Sequence, residues 1–310
     1  MNRSKILVVG AGNVGETAAH IAASMNLGDV VLIDIVKGLG EGKALDLCQA
    51  GPVQLYDSKI TGTTDWELTA NSDVVIVTSG LPRKPGMSRD DLISVNAGIV
   101  KSVCEQIKKY SPNAFVIIVS NPLDAMVYTA AKVTGFAKNK VMGMAGALDC
   151  ARYHHFIASE IGVSIEEVKS VLMGGHGDDM VPLPRFTTVS GIPVADLIEK
   201  AKLDAIIQRT RNGGIEIVNL LGFSAYYAPA AGAVKMAQAI LQDKKSLICC
   251  SAYCGKEYNI GGFFVGVPVI LGKNGVEKII ELKLNKEEAG QLDISINHVK
   301  ELVAKVDGMI

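Results

Sequence analysis

Apolar residues follow two rhythms along this chain. In the first half, short unbroken runs of Val, Ile and Leu recur: KILVVG (5–10), DVVLIDI (29–35), DVVIVTSG (73–80), FVIIVSN (115–121) and KVMGMAG (140–146), with a weaker SKITGTT (58–64) between. Segments with helical spacing separate them, at 13–26, 40–51, 90–110 and 123–134. Continuous β-branched runs alternating with helices predict a parallel sheet covered on both faces, and right-handed crossovers make it doubly wound. The second half is less regular. It reads as a helix near 148–162, a strand EVKSVLMGG (167–175), helices near 194–221 and 229–243, and then three strand-like stretches, SLICCSAYC, GGFFVGVPVILG and VEKIIEL. Turns at glycine and at GKNG make those three an antiparallel meander, and a final helix covers 286–307. The rhythm changes near 143–150. The expected fold class is therefore α/β: a Rossmann-type doubly wound unit over 1–145, and an α+β unit with antiparallel strands over 146–310.

Composition narrows the function by exclusion. The 310 residues carry 31 Lys and Arg against 32 Asp and Glu, a net charge of −1. No basic stripe or RNA-binding signature is present, so nucleic acid is not an expected partner. No run approaches the roughly 20 apolar residues that span a bilayer, and the short apolar start runs into a glycine-rich turn rather than a signal peptide. The six cysteines (48, 104, 150, 249, 250, 254) lack metal-ligand spacing. They are expected to be free thiols, those of CCSAYC on a buried strand, in a cytoplasmic protein without a metal.

Gly10-Ala11-Gly12-Asn13-Val14-Gly15 is a G-x-G-x-x-G between the first strand and the first helix. Alone the pattern is weak. In this context Gly10 permits the tight turn, Gly12 lets a pyrophosphate approach the backbone, and Gly15 lets helix pack on strand. The helix N-terminus offers unpaired N–H groups to the phosphate. Asp34 ends the second strand, where a carboxylate accepts ribose hydroxyls and repels a 2′-phosphate; its plainer reading is a turn cap. The cofactor expected is NAD rather than NADP.

GGHGDDMVP (174–182) sets His176 between glycines after an apolar run, and ALDCARYHHF (147–156) places Asp149 and Arg152 three apart at a helix start. A carboxylate on one ring nitrogen fixes the tautomer of a histidine general base, and an arginine fork grips a carboxylate. The bland alternative for the pair is a salt bridge within one helix. His154 and His155 read as surface residues. The charged loop GLPRKPGMSRDDL (80–92) is either solvated or shaped to hold an anion.

The ordered set GAGNVG, LPRKPGMSRDDL, VSNPLD, MAGALDCAR, GGHGDDMVP and SAYYAPAAG resembles the NAD-dependent malate dehydrogenases of the lactate/malate dehydrogenase family, across essentially the whole chain. The resemblance implies reversible oxidation of (S)-malate to oxaloacetate, a tricarboxylic acid cycle reaction, with hydride passing from C2 to the nicotinamide. It implies that His176 takes the hydroxyl proton, paired with Asp149. Arg152 would bind the C1 carboxylate, Arg89 would polarise the reacting carbonyl, and Arg83 would select the substrate's side group. Asn121 would touch substrate and nicotinamide ribose, Ser224 would lie close to substrate, and Asn96, Val119 and Ser120 would join the cofactor contacts. Gly80, Pro82, Pro85 and Gly86 would shape the loop into a lid, leaving Lys84 without a role.

Lactate dehydrogenases typically carry glutamine where Arg83 stands, so a small dicarboxylate is expected, with lactate or another 2-hydroxy acid as the alternative. A catalytically silent NAD-binding regulator would be expected to have lost His176, Asp149 or an arginine; none is lost, and a purely structural protein fails likewise. A homodimer or homotetramer is also implied, with the helices at 38–51 and 208–221 as candidate interfaces. Three positions depart from the family's usual residues: Cys150, Asp179 and Phe223. Asp179 would raise the pKa of His176 if it faced the cleft, and Phe223 would reshape the wall near the substrate.

Overall fold

The computed structural model describes residues 3–81 and 89–310, the side chains of residues 89–91 excepted. The first half lays down β1 (Lys5–Val9), α1 (Asn13–Ser24), β2 (Asp29–Ile33), α2 (Leu39–Gln54), β3 (Ile60–Thr63), β4 (Val74–Val77), α3 (Arg89–Tyr110), β5 (Phe115–Ile118), α4 (Leu123–Thr134) and β6 (Val141–Gly143). The six strands are parallel in the order β3-β2-β1-β4-β5-β6, with the reversal point between β1 and β4. Their continuous apolar runs follow from burial on both faces. Ile6, Val8, Val74 and Ile76 pack with the alanines of α1, while Leu7, Val9, Val75 and Val77 pack with α3 and α4. Successive side chains of one strand thus enter two different cores.

The second half contains α5 (Gly146–Ile161), β7 (Val168–Lys169), β8 (Leu172–Gly174), β9 (Met180–Pro182), β10 (Thr188–Val189), β11 (Ile192–Pro193), α6 (Val194–Leu197), α7 (Lys200–Leu221), α8 (Tyr227–Leu241), β12 (Ser246–Cys254), β13 (Phe263–Gly272), β14 (Gly275–Ile279) and α9 (Lys286–Asp307). The meander β12-β13-β14 is antiparallel, as its glycine turns predict. It does not form a separate sheet. Ser251 of β12 pairs with Gly143 of β6, and β8 and β9 extend the far side beyond β13, so one sheet runs through both halves.

Three elements differ from the sequence reading. The helix expected to stop at Gly51 continues through Pro52 to Gln54. Tyr56 closes its last turn, its N–H donating to the Gly51 carbonyl and its hydroxyl to that of Leu47. The strand expected over 167–175 is two strands in two sheets: β7 pairs with β10, and β8 with β9 and β13. The chain crosses between sheets at Ser170, whose hydroxyl meets His154. The helix near 194–221 is broken at Ile198 and Glu199, which are extended; Ile198 is buried there.

Candidate active site

The C-terminal ends of β1, β2, β4 and β5 open on one side of the sheet, where open α/β sheets hold ligands. At the first, Gly10 has φ +100°, and its N–H donates to the Ile33 carbonyl. The backbone of Gly15 lies so close that a Cβ there would sit 1.8 Å from the Gly10 carbonyl oxygen. At Gly12, by contrast, a Cβ would meet none of the described residues within 4 Å. Two glycines are therefore needed for packing, and the third faces open space ahead of the α1 N-terminus. Asn13 and Val14 form the first turn of that helix. A dinucleotide pyrophosphate fits this cradle.

Asp34 does cap its own turn. Its Oδ1 accepts from the Val36 N–H at 2.9 Å, and its Oδ2 from the Ala11 N–H at 2.7 Å. The carboxylate is half-buried and retains further lone pairs for ribose hydroxyls. One residue thus both fixes the glycine-rich turn and presents an acceptor beside it.

At the ends of β4 and β5, Ser120 donates to the Ser79 carbonyl at 2.5 Å, and Val119 is half-buried beside it. Among the described residues the Ser79 hydroxyl is buried without a partner. Asn96 is almost wholly buried. Its amide group donates to the carbonyls of Leu81 and Asn121 at 3.1 and 2.6 Å, and accepts from the Leu81 N–H at 2.8 Å. Both amide hydrogens are committed, and one of them ties Asn96 to the backbone of Asn121, which is itself exposed.

His176, Asp149 and Arg152 are brought together. His176 stands in the turn between β8 and β9, and its Nδ1–H donates to Asp149 Oδ2 at 2.9 Å. That leaves Nε2 as the free ring nitrogen. Arg152 Nη1 lies 3.6 Å from the other Asp149 oxygen, one helical turn along α5. The arginine lies against bare backbone, since a Cβ on Gly213 of α7 would come within 3.0 Å of its Cδ. Among the described residues its Nε is buried without a partner, as is Asp149 Oδ1. An unpaired buried guanidinium donor is costly unless an anion completes it.

Burial alone would depress the pKa of His176. The charge and hydrogen bond of Asp149, with a smaller contribution from Asp124, overcome that and the opposing Arg152, leaving it above the ordinary histidine value. Burial lowers Arg152 despite Asp149.

Asp179 does not face this cleft. Its Oδ1 lies 2.7 Å from His298 Nδ1 on α9, while its carbonyl accepts from Ser295 one turn away on the same helix face. The expectation that Asp179 tunes His176 is corrected accordingly. Asp179→Ala should leave the acid limb of the pH–rate profile in place and cost under about 1 kcal/mol of stability, because the His298 pair is half-exposed; pH-dependent kinetics and thermal unfolding check both. His154 is corrected too. It is half-buried against the Ser170 hydroxyl, and burial with Lys169 and Lys235 nearby pushes it down to about 4. His155 is exposed as expected.

Ser224 and Phe223 lie in the exposed segment between α7 and α8, with Phe223 stacked on Tyr226. Cys150 is buried, and its thiol is pushed well up by contact with Cys249 and by burial. Cys249, Cys250 and Cys254 are buried and unbridged in β12, and burial pushes Cys250 and Cys254 up to about 12. Such thiols are inert. Arg83 and its neighbours through 88 lie outside the described residues. Arg89 is placed by its backbone as the first residue of α3.

Sequence reasoning missed Asp124, a buried carboxylate whose Oδ2 accepts from the His176 backbone N–H at 3.2 Å. Its one signal was its place in VSNPLD, where an acid in a helix's first turn passes for a surface complement to the dipole.

Two family models cover the chain. The lactate/malate dehydrogenase NAD-binding domain matches residues 4–143, and the lactate/malate dehydrogenase α/β C-terminal domain matches residues 146–309. A malate dehydrogenase of Rhodopirellula baltica is 58% identical over 313 aligned positions, covering 100% of this chain and 99% of that one. The malate dehydrogenase structure from Salinibacter ruber superposes with a TM-score of 0.95 at 47% identity, covering 98% of each chain. A lactate dehydrogenase of Cryptosporidium parvum, solved with lactic acid and NAD, gives a TM-score of 0.96 at 45% identity over 99% of each. Similarity of fold therefore does not choose between the two acids.

Proposed function

Because this chain belongs to the lactate/malate dehydrogenase family, we propose that it works as an NAD-dependent malate dehydrogenase, interconverting (S)-malate and oxaloacetate. The observation that carries the reading is the His176–Asp149–Arg152 cluster, set beside a dinucleotide cradle on one sheet. Bound NAD supplies the hydride acceptor. It would be held by Gly10 through Gly15 at its pyrophosphate, by Asp34 at a ribose, and by Val119, Ser120 and Asn121 on the nicotinamide side. We assign residues 1–145 to cofactor binding and 146–310 to substrate binding and proton transfer.

The chain's own residues then divide the work. Arg152 offers its unpartnered Nε and its fork to the C1 carboxylate. His176 Nε2 accepts the hydroxyl proton as the O–H bond breaks and the carbonyl forms, and Asp149 stabilises the resulting imidazolium. Arg89 polarises the reacting oxygen, Asn121 and Ser224 border the substrate, and Arg83 meets the distal carboxylate. In the reverse direction protonated His176 returns the proton to oxaloacetate.

The choice of acid rests on Arg83. Pyruvate would leave that guanidinium desolvated and unpaired in a closed site, whereas oxaloacetate pairs with it. NADH oxidation with oxaloacetate against pyruvate tests the reading, with oxaloacetate strongly preferred. Arg83→Gln should shift the ratio of the two kcat/KM values toward pyruvate by about a hundred-fold or more. An unchanged ratio would remove Arg83 from the specificity site.

A tricarboxylic acid cycle role and a cytoplasmic location accord with this reaction and with cysteines that are free. Among the described residues no helix is long and apolar enough to cross a membrane. A homodimer or homotetramer is supported by apolar side chains left open on both predicted interface helices: Leu45 and Val53 on α2, and Ile215, Leu220 and Leu221 on α7.

A further inference from the structure

Asp124 has no part in the chemistry so far, yet it is among the most enclosed charged groups described, with 4% exposure. It lies in the first turn of α4, three residues beyond Asn121. Its Oδ1 accepts from the Ser251 hydroxyl at 2.7 Å and its Oδ2 from the His176 backbone N–H at 3.2 Å. Ser251 is wholly buried at the point where β12 joins β6. The carboxylate therefore ties three things together: the helix that starts after Asn121, the seam between the parallel and antiparallel strands, and the backbone of the proton-accepting histidine.

The turn that carries His176 needs such ties. Gly174 and Gly177 flank it with φ of +82° and +87°, conformations that constrain little by themselves. Asp149 holds the ring, Ser295 holds the neighbouring Gly175 N–H at 2.8 Å, and Asp124 holds the backbone of His176 itself. Only the last comes from α4.

We propose that Asp124 is a positioning residue for His176, fixing its backbone relative to the nicotinamide side and adding a second negative charge that favours the imidazolium. This rests on the reading of His176 as the proton acceptor. Burial raises the Asp124 carboxyl above its usual range, with Asp149 adding to the rise, while the Ser251 and His176 hydrogen bonds oppose it. Both groups donate to the carboxylate and so favour the ionised form. Among the described residues, the other charges acting on the His176 ring come from α5, namely Asp149 and Arg152. Asp178 is exposed, Asp179 turns to His298, and β12 and α9 present only the hydroxyls of Ser251 and Ser295 here.

Asp124→Asn separates charge from shape, because an amide can still accept from the His176 N–H and donate to Ser251. For malate oxidation His176 must be neutral, so kcat/KM falls on the acid side of its pKa. Loss of the Asp124 charge should move that limb down by about half to one pH unit. Asp124→Ala leaves both donors unpaired, and its plateau kcat should fall about 10- to 100-fold, with Asp124→Asn recovering much of the loss. A limb in Asp124→Asn that coincides with that of the parent overturns the proposal. Should that variant fail to fold, Ser251→Ala decides: losing that donor raises the Asp124 carboxyl further and weakens its charge, and the limb should move the same way by less, an unmoved limb again overturning it. His176→Asn is measured alongside. A limb that survives there overturns the reading of His176 and this proposal with it, whereas a limb lost there but unmoved in Asp124→Asn overturns this proposal alone.

Discussion

His176→Asn should lower kcat for malate oxidation about a thousand-fold, which is about 4 kcal/mol of barrier, while leaving NADH affinity near that of the parent. The loss follows from the geometry. Asp149 holds Nδ1, and an asparagine amide in place of the ring has no basic nitrogen to take the hydroxyl proton. Affinity survives because the cradle is built by Gly10 to Gly15 and Asp34, with which His176 shares no hydrogen bond. The pH profile gives a second readout. With its pKa raised, His176 is protonated over a wider range than an ordinary histidine, so oxidation is lost as pH falls through a value above 6.5. Oxaloacetate reduction needs the protonated ring and is lost as pH rises through the corresponding pKa of its own complex. Both limbs should vanish in His176→Asn. Stopped-flow turnover with fluorescence titration of NADH checks the two halves of the result, and near-normal turnover would dismiss His176 as the base.

Gly15→Ala should weaken NADH binding about ten- to a hundred-fold and lower the melting temperature. The new methyl would sit 1.8 Å from the Gly10 carbonyl oxygen and 3.0 Å from Thr78 Oγ1. The first neighbour is backbone at the turn itself, so relief requires α1 to move off β1, at an overpacking cost of about 1–3 kcal/mol. That motion withdraws the helix N-terminus from the pyrophosphate, and a loss of about 1.4–2.8 kcal/mol of binding is the stated range in affinity. Gly12→Ala provides the contrast. Its methyl meets none of the described residues within 4 Å, and its φ of −69° suits alanine, so the melting temperature should hold while affinity falls. Calorimetry with thermal unfolding separates the cases. Equal melting temperatures for the two variants would mean that the close approach of α1 to β1 is not needed for packing.

The parallel half was legible because each strand is buried on both faces, and two-sided burial writes itself as an unbroken run of Val and Ile. The antiparallel meander was legible from its turns. What escaped was decided across long separations in the chain. Nothing near residue 170 announces that Val168 and Leu172 enter different sheets, because the partners that separate them are β10, β9 and β13. The second helix was expected to end at Gly51, and only the later Tyr56 explains how one more turn is held. At the site, Asp149, Arg152 and His176 could be named from residue types and motifs. The partner of Asp179 is on the last helix and that of Asp124 is a serine on a distant strand. Such contacts have no local pattern to betray them.

The junction of Gly143 with Ser251 bears on how the molecule comes apart. A Cβ at Gly143 would lie 2.6 Å from a methyl of Val127 and 3.0 Å from the Ser251 Cβ, so α4, β6 and β12 meet there without slack. Cutting the chain after residue 145 would expose this face on both fragments and strip the buried Asp124 of its hydroxyl donor. The two stretches matched by separate family models should therefore melt together rather than independently, and His176 should lose part of its support when either half frays.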